Sequence, residues 1–185
     1  ALGERWERIE ANLRAGRNAV RRMPEWDYFD TLNTRLGAPV DDFVTPAHYP
    51  RKMVRSMGRV SLLAVRASEM ALADAGLLDS AAIRDGRMGI AYGSSSGSVE
   101  PVRVFGRMLE TGSMQGVTST SYIQMMPHTT AVNIGLFFGL KGRVIPTSSA
   151  CTSGSQGIGY AYEAIRFGRQ TLMLAGGAEE ISAPG

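Results

Sequence analysis

The pattern of apolar and polar positions changes period several times along the chain. Near the start, Trp6, Ile9 and Leu13 recur at helical spacing in a charged segment and Gly16 follows, which predicts a helix from Glu4 to Ala15. The pattern then dissolves. From Arg17 to Arg55, charges mix with Pro24, Pro39, Pro46 and Pro50, giving a long irregular segment with short turns at "DYFDTL" and "DDFVTP". A second helix is expected over Arg59–Gly76, with Val60, Leu63, Ala67, Met70 and Ala71 on its apolar face. Three short apolar runs read as buried strands: "RMGIAYG" at 87–93, "RVIPTSS" at 143–149 and "QTLMLAGGAEE" at 170–180. Between them lie the helical "VRVFGRMLETG", the stretch "SYIQMMPHTTAVNIGLFFGLKG" kinked at Pro127, and a helix from about Thr152 to Phe167. Strands alternating with helices predict an α/β protein with a partly parallel sheet, one antiparallel pairing being left open.

Composition narrows the class without naming a function. The chain has 185 residues, 44% hydrophobic, which suits one domain or part of a larger one. Twenty basic against 17 acidic residues give a net charge of +3, too small an excess to argue for a nucleic-acid partner. No apolar run approaches the roughly 18 residues of a membrane span, and the charged, amphipathic start does not resemble a signal peptide. A single cysteine excludes an internal disulfide, so a reducing compartment, the cytoplasm, is expected. The chain opens on a helix pattern without an initiator Met, and a piece of a longer protein is expected.

That cysteine, Cys151, lies in "SSACTSGSQGIGYAYEAI", between a predicted strand and a predicted helix. Free backbone N–H groups and the positive end of the helix dipole gather at such a junction. They stabilise a thiolate over a thiol and offer donors to an oxyanion on a thioester carbonyl. The small residues Ala150, Ser153, Gly154, Ser155 and Gly157 leave room for a substrate. A buried, inert cysteine remains the competing reading. The arrangement has the logic of a nucleophile elbow, but G-x-S-x-G is absent, so a serine hydrolase is not supported.

The segment "SSACTSGSQGIGYAYEAIRFGRQTLMLAGGAEE" resembles the active-site region of the β-ketoacyl-[acyl-carrier-protein] synthases, the elongating condensing enzymes of fatty acid synthesis. "MGIAYGSSSGS", "PVRVFG", "MMPHTTAVNIGLFFGLKGRVIPTSSAC" and "ERWERIEANLRAGRNAVRRMPEWD" extend the resemblance over nearly the whole chain. It implies the thiolase-like α/β/α/β/α layered sandwich, of which residues 1–185 would be the N-terminal half, with the first strand and the C-terminal half outside. It also implies that Cys151 is the acyl-accepting nucleophile, with its backbone N–H in the oxyanion hole. Ser96, Gly97, Met125, Met126 and Phe138 would line an acyl pocket, and the Met125–Phe138 region would contribute to a homodimer contact, although core packing explains those apolar residues equally well. The partners implied are acyl-carrier protein and malonyl-carrier protein, which a mildly basic rim would help to recruit. No metal or redox cofactor is implied.

In this family two His and a Lys from the second half stabilise the enolate of decarboxylation, in segments that this chain does not contain. His48 and His128 lie in other contexts and read as structural or surface residues. "GSSSGS" at 93–98 lacks the Lys of a phosphate-binding loop and is expected to shape the acyl tunnel instead. Gly176 and Gly177 are expected to allow close packing, and Glu179 and Glu180 to be solvated or salt-bridged. Two alternatives stand beside a fatty acid synthase. One is a polyketide ketosynthase. The other is a non-catalytic dimerising relative, against which the presence of Cys151 argues.

Overall fold

The computed structural model describes residues 2–182. These divide into two compact units, residues 2–44 with 181–182 and Thr45–Glu180. In the first, helix α1 (Trp6–Arg14) precedes a two-stranded antiparallel ribbon of β1 (Arg21–Arg22) and β2 (Leu36–Gly37). Met23 and Trp26 form its buried centre, and the Arg21–Asp41 and Arg22–Asp27 ion pairs lie on its surface. The ribbon falls in the segment read as irregular. Two residues per strand are too few to show alternation.

The second unit is built on a parallel sheet. Strand β3 (Met88–Gly93) lies at its centre, flanked by β4 (Val144–Thr147) and β5 (Leu172–Gly177), and both pairings are parallel. The antiparallel option therefore does not apply to these three strands. All six residues of β3 are buried, as expected of a strand covered on both faces. Pro146 is tolerated because β4 pairs only with β3, and an edge strand can forgo one N–H.

The alternation along β3 assigns the two faces. Met88, Ile90 and Tyr92 enter a core cluster with Ala131, Ile134 and Phe138 of helix α6 (Thr129–Phe138) and with Ala64, Val65 and Leu72 of helix α3 (Arg59–Asp74). Gly89, Ala91 and Gly93 face the other way. There helix α7 (Ser153–Arg166) packs so closely that a Cβ on Gly157 would lie 2.8 Å from the Ala91 carbonyl oxygen. Helices α2 (Arg51–Val54), α4 (Val99–Thr111) and α5 (Ser119–Met125) complete the unit.

The buried face of α3 differs from the expected one. Val60, Ser61, Ala64, Val65, Ser68 and Leu72 are buried, whereas Ala67 and Ala71 are exposed. The two serines disguised the stripe. Ser61 Oγ accepts from Asn133 Nδ2 of α6 at 3.0 Å, which satisfies a buried polar pair. Ser68 Oγ is buried with no partner. Ser68→Ala is therefore expected to leave stability unchanged or raise it by up to about 1 kcal/mol, read from the urea midpoint, because no hydrogen bond is lost with the hydroxyl.

The chain before α3 is tied down by an ionic cluster. Glu69 accepts from Tyr49 Oη (2.8 Å) and Arg66 (2.6 Å), and its second oxygen lies 2.6 Å from His48 Nε2. Burial opposes ionisation of Glu69 most, but the hydrogen bonds to His48, Arg66 and Tyr49 together outweigh it and hold the carboxyl below its usual value. Burial first, and then the Glu69 carboxylate, push the Tyr49 phenol up. A depressed carboxyl stabilises the fold fully above the unfolded value near 4.5, and the contribution is lost as pH falls through the folded value. The urea midpoint is therefore expected to drop as pH falls from 7 to below 4.5, and to drop less in Glu69→Gln. An equal drop in both would remove Glu69 from the account.

Candidate active site

Three parallel strands end at one edge, so the loops after β3, β4 and β5 converge there, where α/β proteins bind their ligands. The loop after β4 carries Cys151, a free and exposed thiol two residues before α7. Ala150, immediately before it, has φ +50°, the one positive φ at a non-glycine among the described residues. A left-handed alanine costs roughly 1–2 kcal/mol and persists only where neighbours over-determine it.

Those neighbours are hydroxyls. Ser153 is buried. Its Oγ accepts from Ser149 N at 2.9 Å and donates to the Ala150 carbonyl oxygen at 2.6 Å, bridging the turn. Thr152 Oγ1 donates to the Ser149 carbonyl oxygen at 2.6 Å. Thr152 is thus the residue capping α7, yet its hydroxyl is turned away and α7 has no side-chain cap. Thr152 N and Ser153 N instead donate to the Ser149 and Ala150 carbonyl oxygens at 3.2 and 3.0 Å, so the backbone itself closes the turn that enters α7. The turn is also anchored to the sheet, because Thr147 Oγ1 donates to the Ser153 carbonyl oxygen at 2.7 Å.

The loop after β3 lies beside it. Ser94 N donates to the Thr147 carbonyl oxygen at 3.2 Å. Gly97 has φ +67°, and a Cβ there would fall on the Met125 carbonyl oxygen. One of the expected pocket residues is thereby brought against two others: Gly97 abuts the Met125–Met126 backbone, where α5 ends, while Ser96 is an exposed residue of the same loop. Phe138 is not with them. It ends α6 inside the core at 5% exposure, its ring 5.0 Å from that of Phe137. His48 is engaged by Glu69, and His128 is an exposed residue at the start of α6.

Glu179 is exposed, as expected of a solvated carboxylate, and the acidic pair after β5 also accepts hydrogen bonds that the sequence did not suggest. Glu179 accepts from Ser95 N (2.6 Å), Ser96 N (3.3 Å) and Ser94 Oγ (3.3 Å), and Glu180 from Val99 N (3.3 Å). Consecutive N–H groups of this kind form an anion nest, and here a carboxylate of the protein's own fills it, which leaves no vacancy for a phosphate. Gly177 allows the close approach expected of it, since a Cβ there would lie 2.8 Å from Gly154 Cα. Tyr92, whose phenol burial pushes up to about 12, stays a neutral donor to the Gly177 carbonyl oxygen at 3.4 Å.

A family model described as "Beta-ketoacyl synthase, N-terminal domain" matches residues 1–185. The chain belongs to the β-ketoacyl synthase family. It is 72% identical to a beta-ketoacyl synthase from Burkholderia phymatum STM815 whose crystal structure superposes with a TM-score of 0.94, covering all of this chain and 45% of that one. It is 28% identical to 3-oxoacyl-[acyl-carrier-protein] synthase 1 of Haemophilus influenzae, over 98% of this chain and 44% of the relative. A type II polyketide ketosynthase, solved with its acyl-carrier protein and a bound hexaketide, is 26% identical with a TM-score of 0.70, over 80% of this chain and 42% of that one. The chain therefore spans somewhat less than half the length of these β-ketoacyl synthases and represents their N-terminal half. Its helix-covered parallel sheet is the α/β arrangement of the thiolase-like fold.

The residues that sequence reasoning passed over are Thr147, Ser149, Ala150 and Ser153 as a hydrogen-bonded support, and Glu179 as an acceptor. The density of hydroxyls in "TSSACTS" was the available signal.

Proposed function

We propose that the full natural chain is a condensing acyltransferase, a 3-oxoacyl-[acyl-carrier-protein] synthase, in which Cys151 is the acyl acceptor. The observation that carries this reading is the exposed Cys151 thiol on a strained turn before an uncapped helix. The Cys151 thiolate attacks the acyl thioester of a carrier protein. A new S–C bond forms, the bond to the carrier sulfur breaks, and the carrier leaves as a thiolate that takes a proton from water. The backbone N–H of Cys151 donates to the oxyanion. Malonyl-carrier protein then loses CO₂, its C2 carbanion attacks the acyl carbonyl, and Cys151 is expelled as thiolate. The product is a 3-oxoacyl thioester two carbons longer. Groups that stabilise the enolate come from outside this chain. Neither His48 nor His128 is assigned that role.

The acyl chain would run from Cys151 past Ser96 and Gly97 toward Met125 and Met126. Relatives in fatty acid and in polyketide synthesis both support a ketosynthase, and one of them is seen with its acyl-carrier protein. Fatty acid elongation is the reading preferred, with a homodimer as the working assembly. A polyketide ketosynthase is the second reading, supported by the match to the hexaketide-bound enzyme. The test is product analysis after acyl- and malonyl-carrier proteins are supplied to the full natural chain. A saturated-chain starter extended by one two-carbon unit supports fatty acid elongation. Repeated extension without reduction supports the polyketide reading, and no extension of any starter contradicts both.

A further inference from the structure

The loop after β3 links the Met125–Met126 backbone to the turn that carries Cys151, and the acidic pair after β5 holds that loop. On one side, Glu179 accepts Ser95 N and Ser96 N and takes a hydrogen bond from Ser94 Oγ, while Glu180 takes Val99 N at the start of α4. The segment bearing both acids is itself fixed to β3, because Ala178 N donates to the Gly93 carbonyl oxygen at 3.0 Å. On the other side, Ser94 N reaches the Thr147 carbonyl oxygen, Thr147 Oγ1 reaches the Ser153 carbonyl oxygen, and Ser153 Oγ closes on Ser149 and Ala150. Each link shares a residue or a peptide unit with the next. The relay runs from Glu179 to the residue preceding the nucleophile.

We infer that Glu179 is a positioning residue for Cys151: its carboxylate fixes the 94–97 loop, and the loop fixes the end of β4 and the strained turn before α7. The inference rests on the reading of Cys151 as acyl acceptor. Glu179 transfers no proton and meets no substrate. What it supplies is reach. A glutamate spans the distance from the end of β5 to two successive amides, and hydrogen bonds to an ionised acceptor are roughly twice as strong as neutral ones. A loop that lost these bonds would expose two backbone N–H groups, and Ser94 would no longer be held toward Thr147.

The test compares Glu179→Gln, Glu179→Asp and Glu179→Ala with the wild type in the full natural chain. Gln keeps the reach and loses the charge; Asp keeps the charge and loses one methylene of reach. Three readings are taken: the rate at which Cys151 accepts an acyl group from hexanoyl-N-acetylcysteamine, its rate of alkylation by iodoacetamide, and hydrogen exchange of the Ser95 and Ser96 amides. Glu179→Ala is expected to slow acylation about tenfold and to speed exchange at both amides. Glu179→Gln is expected to stay within about threefold of wild type, with Asp slower than Gln. Acylation at the wild-type rate in Ala, or Gln slower than Asp, overturns the inference while the proposed function stands. If the alanine variant does not fold, the order of Gln and Asp decides alone. A wild-type protein that is alkylated at Cys151 but never acylated contradicts the proposed function instead. The same variant series read by alkylation then decides whether Glu179 positions the thiol.

Discussion

Cys151→Ala is expected to abolish acyl loading of the full natural chain, lowering the rate by at least about 10³-fold, with the melting temperature almost unchanged. The two halves of this expectation come from different features. The thiol is exposed and free, so removing it opens no cavity, and surface substitutions of this kind lie within about 0.5 kcal/mol of neutral. The chemistry, by contrast, has no substitute. Cys151 is the only cysteine among these 185 residues, and the hydroxyls around it are committed to holding the turn: Ser149 and Thr152 to each other, Ser153 to Ala150. A variant that loads acyl groups as fast as wild type would mean that the strained turn serves another purpose. A variant that unfolds would mean that the cysteine is a packing residue after all.

The second large effect is expected at Gly93. A Cβ there would lie 2.5 Å from the carbonyl carbon and oxygen of Ser153 and 2.7 Å from Thr147 Oγ1. Both belong to the support beneath Cys151, and neither is the loose end of a flexible side chain. The start of α7 must move away from the sheet, which costs about 1–3 kcal/mol. Gly93→Ala is therefore expected to lower the melting temperature by several degrees and to slow acylation with it. Gly106 provides the control. It lies within α4 with nothing within 4 Å of a Cβ, so Gly106→Ala is expected to raise stability by up to about 1 kcal/mol and leave acylation alone. Equal effects at the two glycines would contradict the close approach of α7 to β3.

The central sheet was legible in the sequence because strands buried on both faces read as short apolar runs, and "MGIAYG" is buried at every position. The strand ends were drawn too long: 143–149 shrinks to Val144–Thr147 because the residues after Thr147 leave the ladder to build the turn. The stripe on α3 was misread for a different reason. Serines at 61 and 68 count as polar in a periodicity, while one of them is satisfied only by a partner from another helix, which no local pattern contains. The placement of Cys151 at a strand–helix junction was legible, since it lies between β4 and α7 as expected. Its support was not, since the bonds from Glu179 to Ser95 and Ser96 span more than 80 positions of chain. Of the two readings of Phe138, core packing and an acyl pocket, its place in the core cluster matches the first.

The most direct test of the account is the site-resolved mass of the full natural chain after incubation with an acyl thioester of its carrier protein. The account predicts one added acyl group, borne by the peptide that contains Cys151 and released by hydroxylamine as a thioester is. An unmodified Cys151 peptide, or an acyl group borne by any other residue, would contradict it.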